Sequence, residues 1–273
     1  MKRIGTILIA LLAICAFSSC GSEPLLTPIG ETSPESNLVS SQTDSSVSSA
    51  DDSIVTAPES SEPDLSALIG EPVPEGTKQD ESYLDDAIFI GDSLTDGLAV
   101  YNVLPREQVL ANTGINPQTI LTKECIEQNG TEKTVVEAAS ELDPEEIYIM
   151  LGANGVAFLN FDDIIGWYSE LIDELQTDHP DANIYVQSIL PVTRGKELEQ
   201  ENLTNERIRT LNEQIAAMAE EQEVFYLNVA EAIADEDGYL PDELSSDGMH
   251  FGVSTYNTWI DYLLCHTVEG ALQ

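Results

Sequence analysis

Positive charge is scarce in this chain. Its 273 residues carry 10 Lys plus Arg against 50 Asp plus Glu, a formal charge of 10 − 50 = −40. A basic stripe that releases phosphate counterions is the electrostatic minimum for gripping nucleic acid, and ten scattered cations cannot build one. The same shortage excludes electrostatic docking on anionic lipid. Aromatic residues make up only 6%, cysteines number four and histidines three. No group of His, Cys and carboxylates has metal-ligand spacing, and no glycine-rich phosphate loop is present, so neither a metal nor another cofactor is expected. Long hydrophobic runs are missing too. The most apolar stretch, Ile4 to Phe17 (IGTILIALLAICAF), has 14 residues and is too short to cross a bilayer of about 30 Å as a stable helix.

What is there divides into three parts. Residues 1–20 hold no acid, and Lys2 and Arg3 precede the apolar run, as in an export signal. The run ends in Phe17-Ser18-Ser19-Cys20-Gly21, which resembles a bacterial lipoprotein box, with small residues before a cysteine that becomes the lipidated N-terminus. Phe17 departs from the aliphatic residue usual there. Lipidation at Cys20 would supply two acyl chains or more, enough for lasting attachment to the cell membrane. An ordinary cut after Ser18 would instead release a freely secreted protein.

Residues 21–80 carry 13 Ser, 7 Pro, 12 acids, one lysine and no aromatic residue. So little large apolar surface cannot offset the entropy of ordering, and the stretch reads as a disordered spacer. As a flexible coil of 60 residues it would reach about 40–45 Å. The charge divides accordingly: +2 in the signal, 1 − 12 = −11 in the spacer, and 7 − 38 = −31 in residues 81–273. The acidity belongs mainly to the expected domain, which should disfavour polyanionic substrates in the encounter step.

From residue 81 onward, apolar runs alternate with amphipathic stretches. Ala87–Ile90, Glu146–Leu151, Asn183–Leu190 and Val224–Val229 read as short buried strands, with Gln108–Ala111 a weaker fifth. Ile164–Leu175 and Leu203–Met218 place their apolar residues on single helical stripes. Strands alternating with helices of this length imply a parallel sheet covered on both faces, an α/β three-layer sandwich. In such sheets the site lies beyond the carboxyl ends of the strands.

The first strand runs into Gly91-Asp92-Ser93-Leu94, and the third into Gly152-Ala153-Asn154-Gly155. Near the C-terminus stands Asp247-Gly248-Met249-His250, a spacing that lets one loop supply both an imidazole base and the carboxylate that orients it. Ser93 is not in a nucleophile elbow of the α/β-hydrolase kind, because Thr95 stands where that pattern needs glycine. With Gly114 after the second strand, these blocks in this order resemble the SGNH (GDSL-type) hydrolase family over residues 85 to about 265.

The resemblance implies a flavodoxin-like α/β/α sandwich with five parallel strands. It implies Ser93 as nucleophile, His250 as general base and then acid, and Asp247 as its orienting partner. The N–H groups of Ser93 and Gly114 and the side-chain amide of Asn154 would form the oxyanion hole. Gly155 departs from the acid often found after the asparagine, which leaves the orientation of Asn154 to other neighbours. The function expected is an extracytoplasmic serine esterase or acylhydrolase cleaving short acyl esters, acetyl foremost, on carbohydrate or on a wall polymer such as peptidoglycan. An O-acyltransferase acting on wall sugars, a lysophospholipase or lipase, and a non-catalytic binding lipoprotein remain alternatives.

Two further features stand out. Arg194, with Lys196, follows the fourth strand and offers a place for an anionic substrate group, or is a solvated loop charge. Phe158, in the apolar stretch Val156–Phe161, would wall an acyl or sugar pocket, or the stretch merely anchors the next helix. His179 is expected to end a helix and His266 to lie in the last one. Cys125 and Cys265 fall in helical segments and do not make a disulfide framework.

Overall fold

The computed structural model describes residues 65–272, so the export signal, Cys20 and most of the spacer lie outside the described residues. The first strand, β1 (Ala87–Gly91), is buried along its whole length and passes directly into helix α1 (Ser93–Val100). After β2 (Val109–Ala111) come a short antiparallel hairpin, β3 (Ile126–Gln128) with β4 (Thr131–Lys133), and α2 (Val135–Ala139). Then follow β5 (Glu146–Met150), α3 (Phe161–Asp178), β6 (Asn183–Gln187), α4 (Arg194–Glu199) and α5 (Asn205–Glu221). The chain ends through β7 (Phe225–Leu227), α6 (Ala230–Ile233), α7 (Val253–Cys265) and α8 (Val268–Ala271).

Five strands form one sheet in the order β2-β1-β5-β6-β7, every neighbouring pair parallel. The register sets Phe89 beside both Val109 and Tyr148, and Ile147 beside Ile184. Without the hairpin this is the doubly wound order whose switch point lies between β1 and β5, where ligands of such sheets bind. The α/β/α sandwich expected from the sequence is what the chain forms.

Period-two alternation splits each strand between two apolar layers. Ile88 and Ile90 face one cluster, which takes Tyr168, Leu171 and Leu175 of α3 and Leu211 and Ile215 of α5. Ala87 and Phe89 face the other, with Leu94 and Leu98 of α1 and Trp259 and Leu263 of α7. On this second face Phe89, Tyr148, Tyr185 and Phe225 form a ring ladder across four strands, with centroids 4.9, 4.8 and 5.4 Å apart. Helix starts are fixed by side-chain caps: Asn160 for α3, Thr193 for α4 and Thr204 for α5.

Three expectations need correction. Residues 65–80, assigned to the spacer, belong to the folded unit. Leu68 and Val73 are buried, and Val73 donates its N–H to Tyr226 O (2.9 Å) beside β7. Gly76 and Gln79 donate to carbonyls at the end of α7, so this strap covers an edge strand that would otherwise be left open. Secondly, Cys125 lies in the loop entering β3 rather than in a helix; Cys265 does end α7, and both thiols are free. Thirdly, Arg194 and Lys196 lie in the short helix α4 rather than in a loop. His179 caps α3 and His266 caps α7. Among the described residues no helix is long and apolar enough to cross a membrane.

Candidate active site

The end of β1 turns into α1 with no intervening loop. A Cβ on Gly91 would stand 2.0 Å from Thr95 Oγ1 and 2.6 Å from Met150 O, so only glycine fits at this turn. Asp92 caps α1, accepting the N–H of Leu94 at 3.0 Å, and Ser93 is thereby the first helical residue. Free N–H groups and the helix dipole favour negative charge at this position. From the other side Tyr256 of α7 presses against Gly97, where a Cβ would meet its hydroxyl, and that hydroxyl donates to Leu94 O (2.9 Å).

The loop carrying Asp247 and His250 is held by its own short side chains. Ser245 Oγ donates to His250 O (2.6 Å) and accepts the N–H of Gly248 (2.9 Å). Asp247 Oδ1 accepts the N–H groups of Met249 (3.0 Å) and His250 (2.8 Å), while Oδ2 lies 2.8 Å from His250 Nδ1. Burial raises the Asp247 pKa, but the hydrogen bonds from the imidazole and these two N–H groups outweigh it and hold the carboxyl well below the usual carboxylate range. An ionised Asp247 can only accept, so Nδ1 carries the proton and Nε2 is left as the acceptor. That Nε2 lies 2.8 Å from Ser93 Oγ.

The expected oxyanion residues are linked through their neighbours. The side-chain amide of Asn154 donates to Ile115 O (3.0 Å), the carbonyl next to Gly114, which leaves its second N–H unused. This contact supplies the orientation that Gly155, in place of an acid, does not. Gly114 has φ +80, a left-handed conformation that favours glycine, and its Cβ position faces open space.

The two candidate substrate contacts, Arg194 and Phe158, fare differently. Arg194 reaches Asp237 (2.5 Å) and Asp235 (3.5 Å) and stacks over the Tyr239 ring at 4.0 Å, so its guanidinium is already paired and is not a free anion receiver. Phe158 is 68% exposed, whereas Val156 is buried and Phe161 lies beneath Arg207. The apolar stretch therefore anchors α3 and leaves one ring at the surface. Among the described residues no cluster of three or more His, Cys, Asp and Glu is arranged to hold a metal ion.

Sequence reasoning passed over Asp92, Thr193 and Ser245. Thr193 donates its N–H to Gly248 O (2.9 Å) and so docks the histidine loop on the start of α4. A signal existed for two of them: Asp92 occupies the cap position before a helix, and Ser245 stands two residues before Asp247 in a turn-forming run. The assembled side chains can activate a hydroxyl, because Nε2 can take the Ser93 proton while Asp247 stabilises the imidazolium.

Residues 89–257, more than half of the chain, match the model of the GDSL-like lipase/acylhydrolase family. No curated protein matches the sequence. Among solved structures, a protein described provisionally as a platelet activating factor from Streptococcus pneumonia is similar at 21% identity and a TM-score of 0.53, over 65% of this chain and 81% of that one. A GDSL-like lipase from Bacteroides thetaiotaomicron VPI-5482 is similar at 17% identity and 0.51, over 70% of this chain and 91% of its own. These likenesses agree on the fold. With the family match over the serine, asparagine and histidine blocks, the chain belongs to the GDSL-like lipase/acylhydrolase family and is a serine hydrolase of carboxylic ester bonds.

Proposed function

We propose that this enzyme is an extracytoplasmic, lipid-anchored esterase that removes short acyl groups, acetyl above all, from carbohydrate or from a wall polymer such as peptidoglycan. The observation that carries the reading is the relay of two 2.8 Å contacts from Ser93 through His250 to Asp247. It lies open to solvent, with the His250 side chain 44% and that of Asp247 51% exposed. A bulky polymer can approach such a surface, and the exposed Phe158 ring offers a flat face to a sugar. The net charge favours neutral esters. The membrane anchor rests on the sequence before and at Cys20.

In the reaction Ser93 Oγ attacks the ester carbonyl carbon as its proton passes to His250 Nε2. In this reading the oxyanion is received by the N–H groups of Ser93 and Gly114 and by the Asn154 amide N–H that Ile115 O does not take. Collapse breaks the bond to the alkoxy oxygen, which leaves as the alcohol with the proton from Nε2. Water then attacks acyl-Ser93, giving its proton to the same nitrogen, and the acid departs as Ser93 is reprotonated.

A fluorophosphonate should label Ser93, and Ser93→Ala should abolish ester hydrolysis with folding intact; undiminished turnover would refute the assignment. On an ester series from acetyl to decanoyl, acetyl should turn over fastest, and a decanoyl optimum would replace the short-acyl reading with a lipase. With a sugar acceptor present, water should remain the acyl acceptor used; acyl transfer to the sugar would make the enzyme a transferase. Cys20→Ala should release the protein from the membrane fraction, and continued retention would refute lipid anchoring.

A further inference from the structure

At the N-terminal ends of the strands, the opposite end of the sheet from Ser93, lies a pocket of about 660 Å³ lined by Asp86, Asp143, Glu145, Glu146, Asp181 and Glu269. Its volume is that of a small-molecule site. The sheet spaces these acids: Glu145 donates its N–H to Asp86 O (3.1 Å) and Asn183 donates to Glu145 O (2.9 Å), so β1, β5 and β6 begin side by side. Five of the carboxylates stand exposed at the rim, whereas Glu146 is only 4% exposed. Among the described residues none of the six is paired with lysine or arginine; Lys78, Arg106, Lys133 and Arg194 are engaged with acids elsewhere. Nearby donors are spent as well. Tyr83 gives its hydroxyl proton to Glu269 Oε2 (2.6 Å), which leaves Tyr185 as donor in the 3.3 Å contact between the two tyrosine hydroxyls. Glu146 Oε2 has no hydrogen-bond partner, nor has the hydroxyl of Tyr148, two residues further along the same face of β5.

A buried carboxylate left in this way is costly unless something brings it positive charge and N–H donors. The protein supplies neither here, so the missing partner has to enter from solution. A metal ion does not fit, because it needs its oxygens converged within about 2.6 Å of one point, and among the described residues no three carboxylates are so arranged. Dispersed acids around one buried carboxyl suit instead an organic cation whose ammonium groups are spaced along a flexible chain. We propose that this pocket binds a linear polyamine, with a terminal primary ammonium on Glu146 and the remaining charge held by the rim carboxylates. A primary ammonium is compact and carries three donors, enough to reach the buried oxygen and still bond at the rim. The site stands apart from the ester-cleaving end of the sheet and does not depend on how Ser93 is read.

Spermidine is a suitable probe, titrated into the full chain by calorimetry at pH 8. Burial lifts Glu146 to about 7, so this pH ionises it. In about 0.15 M NaCl, where screening removes most long-range attraction to an acidic surface, binding should saturate at one molecule per chain. At a hundredfold excess over Kd spermidine should raise Tm by about 5–10 °C. Glu146→Gln should weaken binding about tenfold or more, the loss expected for a hydrogen bond to a charged group. The double variant Asp143→Asn with Asp181→Asn changes only exposed rim residues, tests the site even if the Gln variant does not fold, and should weaken binding about threefold. Tetramethylammonium, which has the charge but no N–H donor, should not displace spermidine. Binding that does not saturate, or that both sets of substitutions leave unchanged, would reduce the pocket to diffuse attraction and overturn the proposal. Displacement of spermidine by an equal concentration of calcium would overturn it too, by making the pocket a metal site.

Discussion

Thr193 and Gly248 are joined by a backbone hydrogen bond of 2.9 Å, and on it depends where His250 stands. Gly248 has φ +85, and a Cβ there would come within 2.6 Å of Lys196 Cβ and 2.8 Å of Thr193 Oγ1. The start of α4 is therefore a seat against which the histidine loop is pressed, and only glycine closes that gap. Fold and chemistry meet at this point, since the same helix start is capped by the Thr193 hydroxyl.

Gly248→Ala should displace the loop that carries Asp247 and His250. A shift on the order of 1 Å at a reacting group lowers rate by about a hundredfold, so kcat should fall by about that factor while KM for a small acetyl ester changes little. Steady-state kinetics with p-nitrophenyl acetate checks this, and an Ala variant with wild-type kcat would show that the loop does not depend on this seat.

Asn154→Ala should lower kcat about 10²–10³-fold, the usual effect of removing one oxyanion donor. Because the backbone bonds that close this loop, from the N–H groups of Gly155 and Val156 to Gly152 O (2.8 Å each), survive the change, the loop should stay in place and thermal stability should alter by less than about 1 kcal/mol. Parallel kinetics and thermal denaturation separate the two effects; a large stability loss would mean that the Ile115 contact is chiefly structural.

Much of this was legible in the sequence, and the exceptions have physical causes. Buried parallel strands read as continuous apolar runs, so Ala87–Ile90 and its partners stood out. The β3–β4 hairpin did not, because Ile126-Glu127-Gln128 and Thr131-Glu132-Lys133 are mostly polar and lie outside the main sheet. Its one signal was Asn129-Gly130, both at positive φ, the dipeptide of a tight hairpin turn. Residues 65–80 have the composition of a spacer, yet a few apolar side chains suffice where they fill a surface already formed by β7, α7 and α8. Ser93, Asp247 and His250 were readable from local spacing. The pairing of Arg194 was not, since Asp235 and Asp237 lie some forty residues further along the chain.

Glu146, at the first position of β5, should make stability depend on pH. It is 4% exposed, and one of its oxygens has no partner. Burial first, then Glu269, raises it to about 7, with Tyr83 opposing and Glu145 and Asp86 adding to the rise. The folded value lies above the ordinary value of 4.5, so its contribution to stability is fully present below pH 4.5 and is lost as pH rises through about 7. Thermal unfolding should therefore show a lower Tm at pH 8 than at pH 5. Glu146→Gln should raise Tm at pH 8 by about 3 °C and leave it nearly unchanged at pH 4. A variant no more stable than the wild type at pH 8 would show that water reaches this carboxylate in solution.

The strap of residues 65–80 should set the true boundary of the folding unit. Val73 is bonded to Tyr226 beside the edge strand β7, Gly76 to Cys265 and Gln79 to Leu264, so removing the strap strips two elements at once. A chain begun at residue 65 should unfold in urea like the full-length protein. One begun at residue 81 loses the burial of Leu68 and Val73, worth about 1.5–3 kcal/mol for each fully buried side chain, and uncovers the backbone of β7 for pairing with other chains. It should show a lower urea midpoint and concentration-dependent association in sedimentation. Because the strap is bonded to Tyr226 of β7, to Leu264 and Cys265 at the C-terminal end of α7 and to Gly270 of α8, rather than to Ser93 or the 245–251 loop, whatever fraction of the shorter chain stays monomeric and folded should keep most of its kcat. Equal urea midpoints for the two chains would mean that the strap adds no net stability to the domain.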